Sequence, residues 1–177
     1  MWNIFFTFCL LIVTNGTNCI DGLNGLVINY YLLILILIFN IDVINEILDI
    51  KISVLNYIVL LFYLLLFNLL NKMYLGDSGS YLIGISIGSL LILIYKEISF
   101  ISPFFIVCLL WYPAFENLFS ILRKIRFSKS PINPDTNHLH QLIFYTLKKK
   151  YHVEKKYLNA LSGVLINFYN FFSLTLA

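Results

Sequence analysis

Residues 52–70 read ISVLNYIVLLFYLLLFNLL, a stretch of nineteen residues without a single charge. A helix needs roughly 20 apolar residues to cross the hydrocarbon core of a bilayer. The apolar residues follow one another without the polar alternation of a barrel strand, and a helix satisfies all of its backbone groups inside lipid. The segment therefore predicts a membrane-spanning helix.

The rest of the chain repeats this pattern. Of its 177 residues, 60% are hydrophobic and 12% are charged, whereas a soluble domain carries about 25% charged residues. We expect a single all-α membrane domain over residues 1–177, built as a polytopic transmembrane helical bundle. About six spans are predicted, over residues 2–13, 26–39, 52–70, 81–95, 99–122 and 157–177.

The distribution of charge indicates how the bundle is oriented. Polar segments between successive spans alternate between the two sides of the membrane. Ten of the twelve Lys and Arg residues fall on one side, and nine of these lie between Arg123 and Lys156. Because cytoplasmic loops are rich in Lys and Arg, we expect the segments around Asn15, Asp77 and His138 to be cytoplasmic.

The first of these segments carries the pattern N-x-x-N-x-x-D-G-x-x-G-L, from Asn15 to Leu26. Its polar members recur every three residues, at Asn15, Asn18 and Asp21. On a helix this spacing places them near one face, and the glycines allow close backbone approach. Each Asn taken alone fits a helix cap. Together they favour a ligand site, because polar residues in a membrane are costly.

The second segment carries Gly-Asp-Ser-Gly-Ser from Gly76 to Ser80, directly before an apolar run. Asp77 fits a helix N-cap. An Asp at a helix start also suits Mg²⁺ beside phosphate groups, whose oxygens would meet the backbone N–H groups. The two interpretations are compatible, since one loop serves both purposes.

The third segment contains Pro-Asp-Thr-Asn-His-Leu-His from Pro134 to His140, after the basic stretch Arg123–Lys129. His138 and His140 lie two residues apart, a spacing that suits an extended loop. Their position beside Asp135 and basic residues suggests contacts to phosphate. The basic residues also fit a simpler role, as topology determinants that bind anionic lipid headgroups.

In this order and at these membrane positions, the three motifs resemble those of the polyprenyl-phosphate N-acetylhexosamine-1-phosphate transferases, grouped as glycosyltransferase family 4. The resemblance implies transfer of an N-acetylhexosamine-1-phosphate from a UDP-sugar to undecaprenyl or another polyprenyl phosphate, with release of UMP. In relatives this step begins O-antigen, teichoic acid or peptidoglycan synthesis. It also implies Mg²⁺ or Mn²⁺ as cofactor, a bacterial inner membrane, no nucleic-acid partner, and an assembly that could be a homodimer.

The resemblance also implies a role for each matching residue. Asn18 and Asp77 resemble the metal ligands that hold the diphosphate. The implied catalytic residues are Asp21, Asp77, His138 and His140. The implied substrate-binding residues are Asn15, Gly22, Leu23, Asn24 and Asp135, of which Gly22, Leu23 and Asn24 resemble a uracil-binding turn.

The sequence departs from the family pattern in three places. Many relatives carry a second Asp where this chain has Asn24, and some carry a further His where it has Gln141. Relatives also have paired aspartates in an earlier cytoplasmic loop, and no two Asp residues are adjacent here. Because relatives are longer, we expect the C-terminal portion of a longer transferase.

Two other classes of protein remain open. One is a catalytically inactive truncated remnant, or a subunit that binds lipid or a partner protein, which the missing Asp pair favours. The other is a small transporter or channel. A transporter would carry polar residues in mid-span, whereas here they cluster at one face.

Overall fold

A computed structural model of the chain describes residues 2–126, 138–151 and 154–176. All regular structure in these ranges is helical, which confirms the predicted all-α bundle. The helices are α1 (Trp2–Ile20), α2 (Leu26–Phe39), α3 (Asp42–Glu46), α4 (Leu48–Leu69), α5 (Gly76–Glu97), α6 (Pro103–Leu109), α7 (Trp111–Arg126), α8 (Leu139–Lys150) and α9 (Lys155–Thr175).

The helices α4 and α5 are each long and apolar enough to cross a membrane. The bent pair α6 and α7 is a third candidate if it is counted as one span. The segment Ile4–Ile20 of α1 and the whole of α2 are shorter apolar helices. By length and composition, the described residues therefore contain two or three clear spans, compared with the six apolar runs in the sequence.

The predicted span over residues 99–122 is not one straight helix, because α6 and α7 meet at an angle of 72°. Pro113 explains the break: it lacks the N–H that would bond the Leu109 carbonyl in a continuous helix, and its ring would clash there. The Tyr30 hydroxyl replaces that bond by donating to the Leu109 oxygen at 2.7 Å. The same hydroxyl accepts from the Tyr112 N–H at 3.4 Å.

Two helix boundaries differ from the expectation in a way that affects the polar motifs. The first apolar run ends at Val13, but α1 continues to Ile20 and places Asn15 and Asn18 on its last turns. The helix α5 begins at Gly76, so that Asp77 lies in its first turn. Asn15, Asn18 and Asp77 therefore extend from helix ends and not from loops.

The packing of α1 brings these ends together. It contacts α5 along its length and also packs on α7, while α2 packs on α4 and α9. Glycines allow the close crossings. A β-carbon on Gly84 of α5 would lie 2.8 Å from the Thr17 hydroxyl, and one on Gly16 would lie 2.1 Å from the Pro113 oxygen. Small residues at such crossings let helix backbones approach in membranes.

Candidate functional site

The first and second motifs meet where α1 ends and α5 begins. The Asn18 side-chain amide donates to the Asp77 carboxylate, with 3.1 Å between Nδ2 and Oδ1. Asp77 is exposed and Asn18 is half-buried. The shared metal site inferred from the sequence requires these two side chains to be neighbours, and they are.

Asp21 lies close enough to Asp77 for their charges to interact. Burial, together with the negative charge of Asp77, raises the pKa of Asp21 to about 6. Burial is the larger cause of this shift, and the repulsion between the two carboxylates adds to it. A divalent cation between them would remove the repulsion, so this part of the site fits a metal ion.

The oxygen donors available here also suit such an ion. An Asn amide oxygen and Asp carboxylates are hard ligands, and Mg²⁺ is typically held by one or two carboxylates while phosphates and water complete its shell. Rotating the Asn18 amide by 180° would exchange its NH₂ group for its oxygen. The two orientations occupy nearly the same space, so the oxygen could face a bound ion. In the described ranges, no group of three or more His, Cys, Asp or Glu side chains forms a complete cage.

A cavity of about 480 Å³ opens beside Asn18, between α1, α5 and α7. Its wall combines polar and cationic side chains with apolar ones. The lining residues are Asn15, Asn18, Cys19, Tyr81, Asn117, Ser120, Ile121, Lys124 and Ile125. Asn117 also donates to the Ile12 carbonyl at 3.2 Å, which ties α7 to α1. The cavity therefore offers both anion-binding and apolar surface next to the candidate metal ligands.

The turn from Gly22 to Gly25 connects α1 to α2 and is held by amide side chains. Leu23 and Asn24 are buried in it. The Asn24 amide donates to Asn71 Oδ1 at 2.8 Å, and the Asn24 backbone N–H donates to Asn159 Oδ1 at 2.7 Å. Asn24 therefore helps to fix the turn. Whether this turn holds uracil, as the resemblance implies, stays a prediction.

More amides from α4 and α9 hold the same turn. Asn68 accepts from the Gly25 N–H and donates to the Met73 carbonyl at 2.9 Å. Asn167 donates to the Leu26 carbonyl at 3.1 Å. The sequence interpretation missed these amides. Single Asn residues within apolar runs could have indicated them, because a buried amide needs hydrogen-bond partners.

The third motif reaches the first through its histidines. The rings of His138 and His140 stack, with 5.7 Å between centroids and 7° between planes. His140 packs on Gly22, where a β-carbon would lie 2.2 Å from its Nε2 atom. Burial, followed by the charge of His138, lowers the pKa of His140 to about 4. A neutral His140 ring therefore packs against the first motif. Asp135, the other predicted residue of the third motif, lies outside the described residues.

Glu116 on α7 is a further site residue that the sequence interpretation missed. Its carboxylate is buried, and Oε2 lies 2.9 Å from His138 Nδ1. Its Oε1 accepts the Leu139 N–H at 2.9 Å. Glu116 is the only acidic residue between positions 99 and 122. An ionisable residue in an apolar run indicates a functional role, so Glu116 could have been singled out from the sequence.

The structure therefore gathers residues from all three motifs at one end of the bundle. Asn18, Asp21 and Asp77 form one part, and the histidines approach through Gly22. The alternation of the predicted spans leads to the same grouping, on one side of a membrane, and that placement in a membrane stays a prediction. Which side faces the cytoplasm stays a prediction.

Comparison with known proteins places these features in context. Residues 1–95 match the family described as Glycosyl transferase family 4. The chain is 36% identical over 81 residues to the decaprenyl-phosphate N-acetylglucosaminephosphotransferase of Mycolicibacterium smegmatis, covering 39% of this chain and 20% of that protein. It is 38% identical over 71 residues to a probable undecaprenyl-phosphate N-acetylglucosaminyl 1-phosphate transferase of Bacillus subtilis, with the same coverage of 39% and 20%.

A longer match reaches into the third motif. The undecaprenyl-phosphate alpha-N-acetylglucosaminyl 1-phosphate transferase of Thermotoga maritima is 27% identical over 141 residues, which cover 78% of this chain and 42% of that protein. The chain thus spans less than half the length of these curated relatives. No solved structure matches it.

Proposed function

The chain belongs to glycosyl transferase family 4, and from this premise we propose that it transfers N-acetylhexosamine-1-phosphate from a UDP-sugar to polyprenyl phosphate, releasing UMP. The observation that carries the proposal is the meeting of Asn18 and Asp77 across α1 and α5. The names of these three relatives all specify N-acetylglucosamine. We therefore propose UDP-N-acetylglucosamine as the sugar donor.

The physical problem of this reaction is charge. An anionic phosphate oxygen attacks a phosphorus atom of an anionic diphosphate, and a further anion leaves. A bound Mg²⁺ or Mn²⁺ would supply charge neutralisation and orient the diphosphate. Asn18 and Asp77 would hold the ion, and Asp21 lies close enough to add a second carboxylate. Burial and the charge of Asp77 raise the pKa of Asp21 to about 6, and a cation bound there would stabilise its charged form.

The cavity beside Asn18 provides a place for the acceptor phosphate. Its lining includes the Lys124 ammonium group and the Asn117 amide, and the apolar Ile121 and Ile125 continue the same wall. A polyprenyl phosphate has the same two parts, an anionic head and an apolar tail. The wall therefore matches the proposed acceptor in chemistry.

The buried turn that follows Asp21 packs on His140 through Gly22, and together they form a second wall. We propose that this wall faces the nucleotide sugar. His140 is neutral near pH 7 because its pKa is lowered to about 4. It would act there as a hydrogen-bonding group and not as a fixed positive charge. We place the site at the cytoplasmic face of a bacterial inner membrane, because Lys and Arg concentrate in the segments on this side.

The direct test is release of UMP by the purified chain in proteoliposomes that contain undecaprenyl phosphate. UDP-N-acetylglucosamine and Mg²⁺ are supplied on the outside. We expect transfer that is lost in Asp77→Asn and kept in Asp42→Asn, a matched change at an exposed Asp of α3. If the wild-type chain releases no UMP under any of these conditions, the proposal is wrong.

A second candidate function is a non-catalytic membrane protein that retains only binding. The observation that favours it is the absence of any adjacent Asp pair in the sequence. Binding of UDP-N-acetylglucosamine without UMP release would support this alternative over the enzyme.

A further inference from the structure

Glu116 is only 3% exposed, and it lies on α7, whose exposed side chains from Phe115 to Leu122 are all apolar. Burying a carboxylate costs free energy unless hydrogen bonds compensate. Both oxygens of Glu116 are used: one meets His138 Nδ1 and the other accepts the Leu139 N–H, each at 2.9 Å. The side chain therefore has a defined pair of partners on α8.

The second partner fixes where α8 begins. Leu139 is the first residue of that helix, and its N–H is one of the groups that a helix leaves without an internal acceptor. A negative charge at this end is also favourable for the helix dipole. Glu116 thus ties the start of α8 to α7, in addition to the packing of α8 on α9.

The first partner fixes the chemical state of His138. A carboxylate accepts hydrogen bonds and does not donate them, so Nδ1 of His138 must carry the proton. In the neutral ring Nε2 is then the acceptor. The hydrogen bond that one ring nitrogen makes decides which tautomer is present.

His138 in turn supports His140. The two rings are nearly parallel, at 7°. Nδ1 of His140 is buried and has no hydrogen-bond partner among the described residues. The orientation of His140 therefore depends on the His138 ring on one side and on Gly22 on the other. Gly22 directly follows Asp21. The chain of contacts from Glu116 through His138 and His140 to Gly22 therefore ends beside the candidate metal site.

We infer that Glu116 is a positioning residue: it holds His138 in its Nδ1–H tautomer and, through the stacked rings, holds His140 against Gly22 beside the substrate site. This inference rests on the proposed function for its effect on turnover. The geometry of Glu116, His138 and His140 stands independently of it.

The first experiment measures the tautomer of His138 and does not depend on enzyme activity. The full chain is labelled with ¹⁵N-histidine in nanodiscs, and the His138 signals are assigned by comparison with His138→Ala. We expect a protonated Nδ1 and an unprotonated Nε2 in the wild type. In Glu116→Gln the amide NH₂ faces Nδ1, and the tautomer should invert. An unchanged His138 tautomer in Glu116→Gln would overturn the inference.

The second experiment measures the kcat and KM of the transfer reaction. Glu116→Gln keeps the side-chain volume and should lower kcat roughly 10-fold or more, as loss of a histidine-orienting group does elsewhere. The KM for the UDP-sugar should change less. Glu97→Gln makes the same chemical change at an exposed position on the far end of α5 and should leave turnover intact.

A double variant separates positioning from general damage. If Glu116 acts through His138, adding Glu116→Gln to His138→Ala should cost little more than His138→Ala alone. A full additional loss in the double variant would overturn the inference. If the wild type shows no transfer while the tautomer inverts as expected, the proposed function fails and the positioning role stands.

Discussion

The Nε2 atom of His140 lies only 2.2 Å from the position that a β-carbon of Gly22 would occupy. The first and third motifs therefore fit together only because residue 22 has no side chain. The family pattern places a glycine at this position, and the contact with His140 gives a physical reason for it. The contact also links two segments that are more than a hundred residues apart in the sequence.

Gly22→Ala should accordingly displace His140. The added methyl group forces the ring away from the turn, and we expect transfer to fall roughly 10-fold or more if His140 contacts substrate. The measurement is UMP release at saturating donor. In a His140→Ala background the same glycine substitution should have little further effect, because the clash is gone. An equal loss in both backgrounds would contradict the steric explanation.

Gly84→Ala should destabilise the crossing of α1 and α5. Its β-carbon would lie 2.8 Å from the Thr17 hydroxyl and 3.0 Å from the Thr14 Cα atom. Overpacking of this kind typically costs about 1–3 kcal/mol. Gly79→Ala on the same helix is the control, because its β-carbon meets only the flexible Leu75 side chain at 3.2 Å. Thermal unfolding in detergent should show a lower midpoint for Gly84→Ala than for Gly79→Ala.

Asn24→Asp should weaken the turn, even though many relatives carry Asp there. An ionised Asp cannot donate to Asn71 Oδ1, as the Asn24 amide does. Leaving a buried polar group unsatisfied costs about 1–3 kcal/mol. Asn71→Asp is the matched change: it keeps the acceptor for Asn24 and loses only the longer local bond to the Leu69 carbonyl at 3.2 Å, so it should cost less. The unfolding midpoints of the two variants test this, and the reverse order would argue against the hydrogen-bond assignment.

The folding stability should depend on pH through His140. The pKa of His140 is lowered to about 4 in the folded chain by burial and by His138, whereas an unfolded His titrates near about 6.5. Between these values the unfolded state binds more protons, so stability falls as the pH falls. The pKa of Asp21, raised to about 6, acts in the opposite direction.

The comparison of wild type with His140→Gln isolates this effect, because Asp21 is present in both. We expect the unfolding midpoint of the wild type to drop more between pH 7.5 and pH 5 than that of His140→Gln. Equal drops would show that His140 is not buried in its neutral form.

Much of the fold and part of the site could be predicted from sequence because the controlling physics is local. Long apolar runs require helices in lipid, and alternation of spans places Asn15, Asp77 and His138 on one side. The neighbourhood of Asn18 and Asp77 followed from these facts together with the family resemblance. The break before Pro113 was also local, and only the length of the apolar run concealed it.

The remaining features depend on tertiary contacts that no local pattern encodes. The polar composition after Val13 is typical of a loop, but packing of Gly16 on Pro113 and of Gly84 on Thr17 keeps this segment on α1 up to Ile20. Glu116 and His138 are 22 residues apart and pair only because the chain returns to α7 at the start of α8. Likewise, Asn68 and Asn167 act on a turn that is distant in the chain.

The central claim is that Asn18 and Asp77 together hold one divalent cation. The most direct measurement is titration of the chain with Mn²⁺ in the presence of UDP-N-acetylglucosamine, followed by the loss of the free-ion electron paramagnetic resonance signal. We expect one bound ion in the wild type and in Asp42→Asn, and weak or no binding in Asn18→Ala and in Asp77→Asn. Unchanged Mn²⁺ affinity in both site variants would contradict the account.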